Sequence, residues 1–430
     1  FMNILFIGDY RSAANYGSIA TTECLIDLIN SKVSANDDMK IIDRRSYDHS
    51  TPKAGFNQTL KYRIRKKIPL RVWQKMQHVR NIFRRTPPLP YSIESYMNLY
   101  HVPCLYKQFE TYFNKMDGGN ILQYEKELLE WADIVIINGE GTIVNGVNQH
   151  GVYNGGGRYT IYMAWLSKIK YNKTTALVNL TVDPGNNDAW EMLIHTLPHL
   201  DYLYLREPLS IPKLADHGIS NGKYVPDALF SYEEDESVVY DIKQAFNLAN
   251  NYMVLGDTSA FNETEYQSSV RWDVEQFYDK LIPRLQALDV QVVLLDGFNG
   301  KNKQIDCAYK RLSRKHNMPI INLSNCDYHR LYAVFKHSKL FISGRWHASI
   351  LASLSYTPLL LFGSDSHKTK ALYKILDYPY PFFDVNTLPL HIDEIVEAAK
   401  SILADTSIVN HLKVYVGKAA LVSKNNVDFL

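Results

Sequence analysis

The sequence predicts an α/β fold of two Rossmann-like, doubly wound parallel-sheet domains facing each other across a cleft. Three observations carry that expectation. A chain of 430 residues exceeds what one ordinary hydrophobic core encloses, so two domains are the default. Short apolar runs alternate with stretches of helical periodicity, which is the rhythm of βαβ units and a parallel sheet. The rhythm occurs as two series, and the acidic, structure-poor stretch from Tyr232 to Ser237 between them reads as a linker. The expected boundaries are 1–235 for the N-terminal domain and 240–430 for the C-terminal one.

The first series opens with Asn3 to Gly8, a short apolar run ended by glycine that reads as a buried parallel strand feeding a loop. A helix is expected from Ser18, an N-cap type of residue, to Ile29, followed by a strand at Lys40 to Asp43. Residues 50–128 break the rhythm and read as a mostly helical, basic insertion or lid. Within it, Lys61 to Arg85 interleaves cations with Ile64, Ile68, Trp73, Val79 and Phe83, the pattern of an interfacial segment attracted to anionic lipid. A basic helix packed on the domain accounts for it equally. The series resumes with a strand from Ala132 to Asn138 and further strands at Thr175 to Leu180, Tyr202 to Leu205 and Lys223 to Val225, with helices near 159–170, 188–197 and 208–217. The second series places strands at Tyr252 to Gly256, Val290 to Leu295, Pro319 to Leu323, Leu340 to Ser343 and Pro358 to Phe362. The last stretch, Glu394 to Val422, is helical and long enough to pack back across the domain boundary. Two such halves give the architecture called GT-B-like.

Bulk composition narrows the function. A formal net charge of +2 excludes a general nucleic-acid binder, so any basic surface is local. The 30 tyrosines are in part available as stacking platforms and hydroxyl donors for sugars, although packing accounts for most. Cys24, Cys104, Cys307 and Cys326 lie far apart without a CxxC pair, which argues against a zinc knuckle or disulfide framework and for a reducing compartment. No stretch approaches the ~20 apolar residues that span a bilayer, and no secretory leader is visible. A cytoplasmic protein, in contact with the inner face of the membrane through 61–85 if at all, is expected.

Ligands of open parallel sheets bind beyond the carboxyl ends of strands, so the loops there carry the candidates. After the first strand come Asp9, Asn15, Tyr16 and Gly17, where small residues bring a helix start close to a ligand. This is neither a GxGxxG fingerprint nor a P-loop. Glu140 stands between Gly139 and Gly141 at a strand end, placed to accept a proton from a sugar hydroxyl, with Asn138, Thr142, Asn145, Asn148, Gln149 and His150 around it for hydroxyl recognition. Arg206 ends another strand, where it suits a carboxylate or phosphate or else pairs with Glu207 or Asp227. The sharpest segment runs from Ser343 through Gly344, Arg345 and Trp346 to His347: a strand enters a glycine turn, and a guanidinium and an imidazole follow at a helix start that favours anions. Lys368 follows the next strand beside the same cleft. No metal-ligand spacing and no GxSxG elbow is present, so neither a metal nor another cofactor is expected.

Taken in order, these motifs resemble the polysaccharide pyruvyl transferases. The resemblance rests on Asn15 to Gly17, the glycine turn at Asn138 to Thr142, Arg206 to Ser210, Gly218 and Ile219, Val225 to Asp227, Arg345 to Ala348, Pro358 and Lys368. It implies transfer of pyruvate from phosphoenolpyruvate to two hydroxyls of a sugar as a cyclic ketal, on a metal-free GT-B-like scaffold, in the assembly of a capsule, O-antigen or other surface glycan. Arg206 and Arg345 would hold the donor's phosphate and carboxylate with Ser343, Gly344, Trp346 and Lys368, and His347 would protonate the methylene carbon. Glu140 or Asp9 would serve as base, with Asn15, Tyr16, Asn138, Thr142, Asn145 and His150 on the side of a glycan or lipid-linked oligosaccharide acceptor. Two positions depart from the family pattern: Glu140 interrupts a run of three glycines, and Trp346 is bulky. Both would also suit a glycosyltransferase with a nucleotide-sugar donor, the alternative reading, and a non-catalytic glycan-binding protein is the third class open at this level.

Overall fold

Apolar runs buried on both faces build the framework. The computed structural model describes residues 2–11, 15–43, 102–119, 121–144, 155–261, 270, 272–297, 303–322 and 326–430. The N-terminal sheet has six parallel strands in the order β2-β1-β3-β4-β5-β6: β1 Asn3–Asp9, β2 Asp38–Asp43, β3 Ile134–Val144, β4 Thr174–Asp183, β5 Tyr202–Leu205 and β6 Gly222–Tyr224. The C-terminal sheet has five, in the order β11-β10-β7-β8-β9: β7 Tyr252–Thr258, β8 Gln291–Asp296, β9 Ile320–Asn322, β10 Phe341–Gly344 and β11 Leu359–Leu361. Helices cover both faces of each sheet, which is why runs such as Ile4 to Ile7, Ile134 to Ile137 and Leu359 to Leu361 are apolar without alternation.

Strand order reverses between β1 and β3 in one sheet and between β7 and β10 in the other. A reversal leaves a crevice beyond the strand ends, the usual ligand position in such sheets. The two crevices meet, because one apolar cluster runs through both domains. It joins Phe6, Ile26 and Val178 to Val254, Phe341 and Leu351, with Leu229 and Phe230 between them. Each such fully buried side chain is worth about 1.5–3 kcal/mol. The helix Ile408–Ser423 and the turn after it belong to the same contact: Asn426 Nδ2 donates to the Pro226 carbonyl at 2.8 Å, and the Tyr204 hydroxyl to Asp428.

Three local expectations change. The first helix, α1 (Tyr16–Asn30), is capped by Asn15 rather than Ser18: Asn15 has extended backbone, and its side chain accepts from Gly17 N at 3.0 Å. Ser18 lies inside the helix, buried. The expected insertion is narrower than 50–128, because Val102 onward is core: Val102, Phe109, Tyr112 and Met116 pack with Leu5, Ile7 and Ile137. The segment 61–85 lies outside the described residues. Finally, β3 does not end at Asn138 but continues to Val144, with Glu140 in the left-handed region at φ 47° and a register shift against β4 beyond it. Among the described residues no helix is long and apolar enough to cross a membrane.

Candidate active site

Strand ends from both sheets enclose a cleft of about 200 Å³. Asn15, Tyr16, Glu140 and Arg206 come from the N-terminal side, and Arg345, Trp346, His347 and Lys368 from the C-terminal side. Each position follows from its strand. Glu140 reaches the cleft because β3 bulges there; a left-handed conformation at a buried, non-glycine residue carries strain of the kind that collects at functional sites. Arg206 is the first residue after β5. Arg345 occupies the N-cap of the helix Trp346–Leu354, where no side chain caps the first-turn amides.

His347 closes the cleft against the other domain. Its Nε2 lies 3.2 Å from Glu140 Oε1, 3.5 Å from Asp227 Oδ2 and 3.3 Å from Arg206 Nη1. Arg206 is buried, with Nη1 at 3.1 Å from Asp227 and 3.5 Å from Glu140, and Nε donating to Thr181 Oγ1 at 2.8 Å. The Trp346 ring lies against the same guanidinium, 5.4 Å from its centre, and its indole N–H donates to Asp227 Oδ2 at 2.8 Å. Ser18 Oγ donates to Glu140 Oε1 at 3.2 Å. The approach of α1 to His347 requires glycine at 17, since a Cβ there would overlap the imidazole. Burial alone would raise the Glu140 carboxyl, but the charges of Arg206 and His347 and the Gly141 N–H outweigh it and hold the group below its ordinary value. Asp227 behaves alike: burial is outweighed by His347, Arg206 and Thr21, and its pKa falls well below the usual range.

The opposite wall is built on Asp257, at the end of β7. Arg345 Nε lies 2.5 Å and Nη2 3.2 Å from its two oxygens, and Gly297 N donates to it at 3.1 Å. Here burial prevails over Arg345, nearby Asp296 adds to it, and the Asp257 carboxyl is raised. Ser343 steadies the turn by donating to the Asp257 carbonyl at 2.7 Å and accepting from Arg345 N at 3.1 Å. Gly344 is needed where a Cβ would overlap the Gly363 carbonyl and Thr258. Lys368 pairs with Asp365 at 2.8 Å, and Asp365 also accepts from Ser259 at 2.7 Å.

The cleft thus gathers Asn15, Tyr16, Glu140, Arg206, Arg345, Trp346, His347 and Lys368. Other candidates stand elsewhere. Asp9 is taken by the guanidinium of Arg11 at 2.8 Å, away from the cleft lining. Asn138 is fully buried, donating to Gly8 O and Thr22 Oγ1, both at 3.2 Å, and it locks β1 and α1 to β3. Thr142 donates to Gly139 O at 2.7 Å within the bulge. Ser343 and Gly344 support Arg345 from behind. Asn145, Asn148, Gln149 and His150 lie outside the described residues. The sequence reading passed over Asp257, Ser259, Gly297 and Asp365. Asp257 was within reach, because Gly256 and Asp257 follow the apolar run of a strand just as Asn138 and Gly139 do. Among the described residues no group of three or more His, Cys, Asp or Glu is placed to hold a metal ion.

A family model for polysaccharide pyruvyl transferase matches residues 15–366, well over half of the chain. Comparison with curated proteins gives no match. Among solved structures, sucrose-phosphate synthase of Thermosynechococcus elongatus superposes with a TM-score of 0.54 at 12% identity, over 98% of this chain and 94% of that one. Anabaena HepE in complex with UDP gives 0.52 at 10% identity, over 100% and 99%. The UDP-GlcNAc 2-epimerase of Methanocaldococcus jannaschii, in complex with UDP-GlcNAc and UDP, gives 0.50 at 12%, over 94% of each chain. At such identities the likeness is one of fold, and it is the GT-B-like pair of domains.

Proposed function

Because the chain belongs to the polysaccharide pyruvyl transferase family, we propose that it transfers pyruvate from phosphoenolpyruvate to two hydroxyls of a surface-glycan sugar, giving a cyclic ketal and inorganic phosphate. One observation carries the reading. Arg206, Arg345 and Lys368 line the same small cleft as His347 and Glu140, so a donor with a phosphate and a carboxylate finds cations for both beside a proton carrier.

The reaction runs as follows. His347 delivers a proton to the methylene carbon of phosphoenolpyruvate, and the cation developing at C2 faces the ionised Glu140. A sugar hydroxyl bonds to C2 as its proton passes to Glu140, 3.2 Å from His347 Nε2, so the imidazole is recharged from the acceptor. The C2–O bond to phosphate then breaks, with Arg206, Arg345 and Lys368 stabilising the leaving dianion. The second hydroxyl bonds to C2, and its proton leaves with the phosphate. Both hydroxyl protons are accounted for, one in the new methyl group and one on phosphate. The helix start at Asn15 and Tyr16, on the N-terminal wall of the cleft, is assigned to the acceptor. Four unpaired cysteines are in keeping with a reducing compartment, which fits action on a glycan under assembly at the cytoplasmic face of the membrane.

The test combines thermal shift with phosphate release. Phosphoenolpyruvate at a hundred times its Kd should stabilise the folded protein by about 2.7 kcal/mol, and phosphate should appear only with a vicinal or 1,3-diol sugar. Stabilisation by UDP, GDP or CMP with none by phosphoenolpyruvate would overturn the reading in favour of a nucleotide-sugar donor.

A further inference from the structure

We propose that Asp227 is the positioning carboxylate of this site, holding the imidazole of His347 and the guanidinium of Arg206, which come from different domains, in one working arrangement. The inference rests on the pyruvyl-transfer reading for its catalytic meaning, but its geometry stands apart from it. Asp227 is fully buried and does not line the cleft, so it acts through its neighbours.

Its two oxygens have separate tasks. Oδ1 accepts from Thr21 Oγ1 at 2.6 Å and from Leu229 N at 2.9 Å, which ties the carboxylate to α1 and caps the short turn Ala228–Ser231. Thr21 is itself held by Asn179 Nδ2 at 3.1 Å, and Asn179 Oδ1 accepts from Ala228 N at 3.0 Å. The carboxylate therefore cannot rotate without breaking contacts inside the N-terminal domain. Oδ2 faces the other way, accepting from Arg206 Nη1 at 3.1 Å and from the Trp346 indole at 2.8 Å, with His347 Nε2 at 3.5 Å. Indole and guanidinium are donors only, so this oxygen must be an acceptor. Trp346 and His347 are consecutive in the first turn of their helix. A bond to the Trp346 indole fixes the rotation of that turn and aims the imidazole at the cleft.

A merely structural capping role predicts something different, and Asp227→Asn separates the two. Asparagine keeps one carbonyl acceptor for Thr21 and Leu229 but presents an amide donor to Arg206 and Trp346. With phosphoenolpyruvate and a panel of p-nitrophenyl hexosides, kcat should fall on the order of 10–100-fold, the size of effect seen when a carboxylate that orients a metal-ligating imidazole is removed. The KM for phosphoenolpyruvate should stay within about threefold. Trp346→Phe removes one donor to the same oxygen and should cost less, and the double variant should be no worse than Asp227→Asn alone. Wild-type kcat in Asp227→Asn, or losses that multiply in the double variant, would overturn the proposal. The Trp346 indole N–H resonance, assigned by its absence in Trp346→Phe, supplies a readout free of any donor. It should move upfield in Asp227→Asn, and an unmoved resonance sinks the positioning role. If the wild type turns over no phosphoenolpyruvate while that resonance moves, the donor reading fails and the positioning role stands.

Discussion

The two walls of the cleft use the same device, an arginine at a strand end backed by a buried aspartate, yet they set it differently. On the N-terminal wall the Arg206 side chain is 1% exposed, and the aspartate behind it is pushed towards ionisation by the cations around it. On the C-terminal wall the Arg345 side chain is 17% exposed, and burial pushes its aspartate towards the neutral form. The difference teaches a division of labour. In the proposed reaction a firmly ionised, fully bonded Asp227 would fix the groups that handle protons, whereas Arg345 faces the cleft from a partner that holds its charge less firmly and would be the better placed to turn to an incoming anion. Substitutions on the first wall should therefore lower kcat, and substitutions on the second should raise KM.

The largest effect expected is at His347, which joins the walls. His347→Gln should lower kcat on the order of 10²–10⁴-fold while phosphoenolpyruvate still raises the melting temperature, because Arg206, Arg345 and Lys368 remain. Loss of binding together with turnover would mean that the imidazole is an anion ligand instead. Next comes Gly17→Ala. A methyl group there overlaps the imidazole ring, so α1 and the helix at Trp346 must separate; a 10-fold or greater fall in kcat is expected from a displacement of about 1 Å. A variant with unchanged kcat would show that the close approach of α1 is dispensable.

Asp257→Asn probes the other wall. The variant keeps a carbonyl for one Arg345 bond and loses the ionic partner, so the guanidinium is less well aimed at its anion. The expected result is a KM for phosphoenolpyruvate raised by about tenfold, in the range of a lost charge-assisted hydrogen bond, with kcat little changed. Steady-state kinetics decide it: a fall in kcat at constant KM would break the division between the walls.

Much of this was legible in the sequence for a simple reason. Strands buried on both faces are continuous apolar runs, and Ile134 to Ile137 and Leu340 to Ile342, each followed closely by glycine, read as such strands. The Arg345 to His347 segment announced itself because strand, glycine and helix follow at fixed spacing. What escaped was of two kinds. Asn15 and Ser18 are both good caps, and only the backbone conformation at 15 decides between them. Asp227 was legible as a partner of Arg206, 21 residues before it, but its contact with Trp346, 119 residues on, and that of Asp257 with Arg345, 88 residues on, are relations that no local pattern encodes. The stretch from Val102 on was expected to be helical, but its place in the core was not legible: a polar, tyrosine-rich composition masked a regular buried stripe at Phe109, Tyr112 and Met116.

The smallest effect concerns what holds the walls together away from the chemistry. His367, next to Lys368, reaches across to the N-terminal domain, with Nε2 at 2.9 Å from Glu207 and Nδ1 at 3.2 Å from Asp183. Lys213 faces Asp183 at 2.5 Å, and Ser210 Oγ stands at 3.5 Å from the same imidazole. Two carboxylates ask both ring nitrogens to be donors, so the imidazolium is the form that fits. Burial acts to lower the His367 pKa, but the two carboxylates outweigh it and raise it above its ordinary 6.5. The Asp183 carboxyl is also buried, yet His367 and Lys213 bring it down to about 2. A raised histidine stabilises the fold fully below about 6.5 and loses that contribution as pH rises through its folded value; the depressed Asp183 loses its share only as pH falls from about 4 towards 2. The melting temperature of His367→Gln should accordingly lie on the order of 2 °C below wild type at pH 6 and converge on it as the pH rises through the raised folded value of His367. A gap that persists unchanged at high pH would assign the contribution of His367 to packing, and the cross-domain contact would then be indifferent to protons.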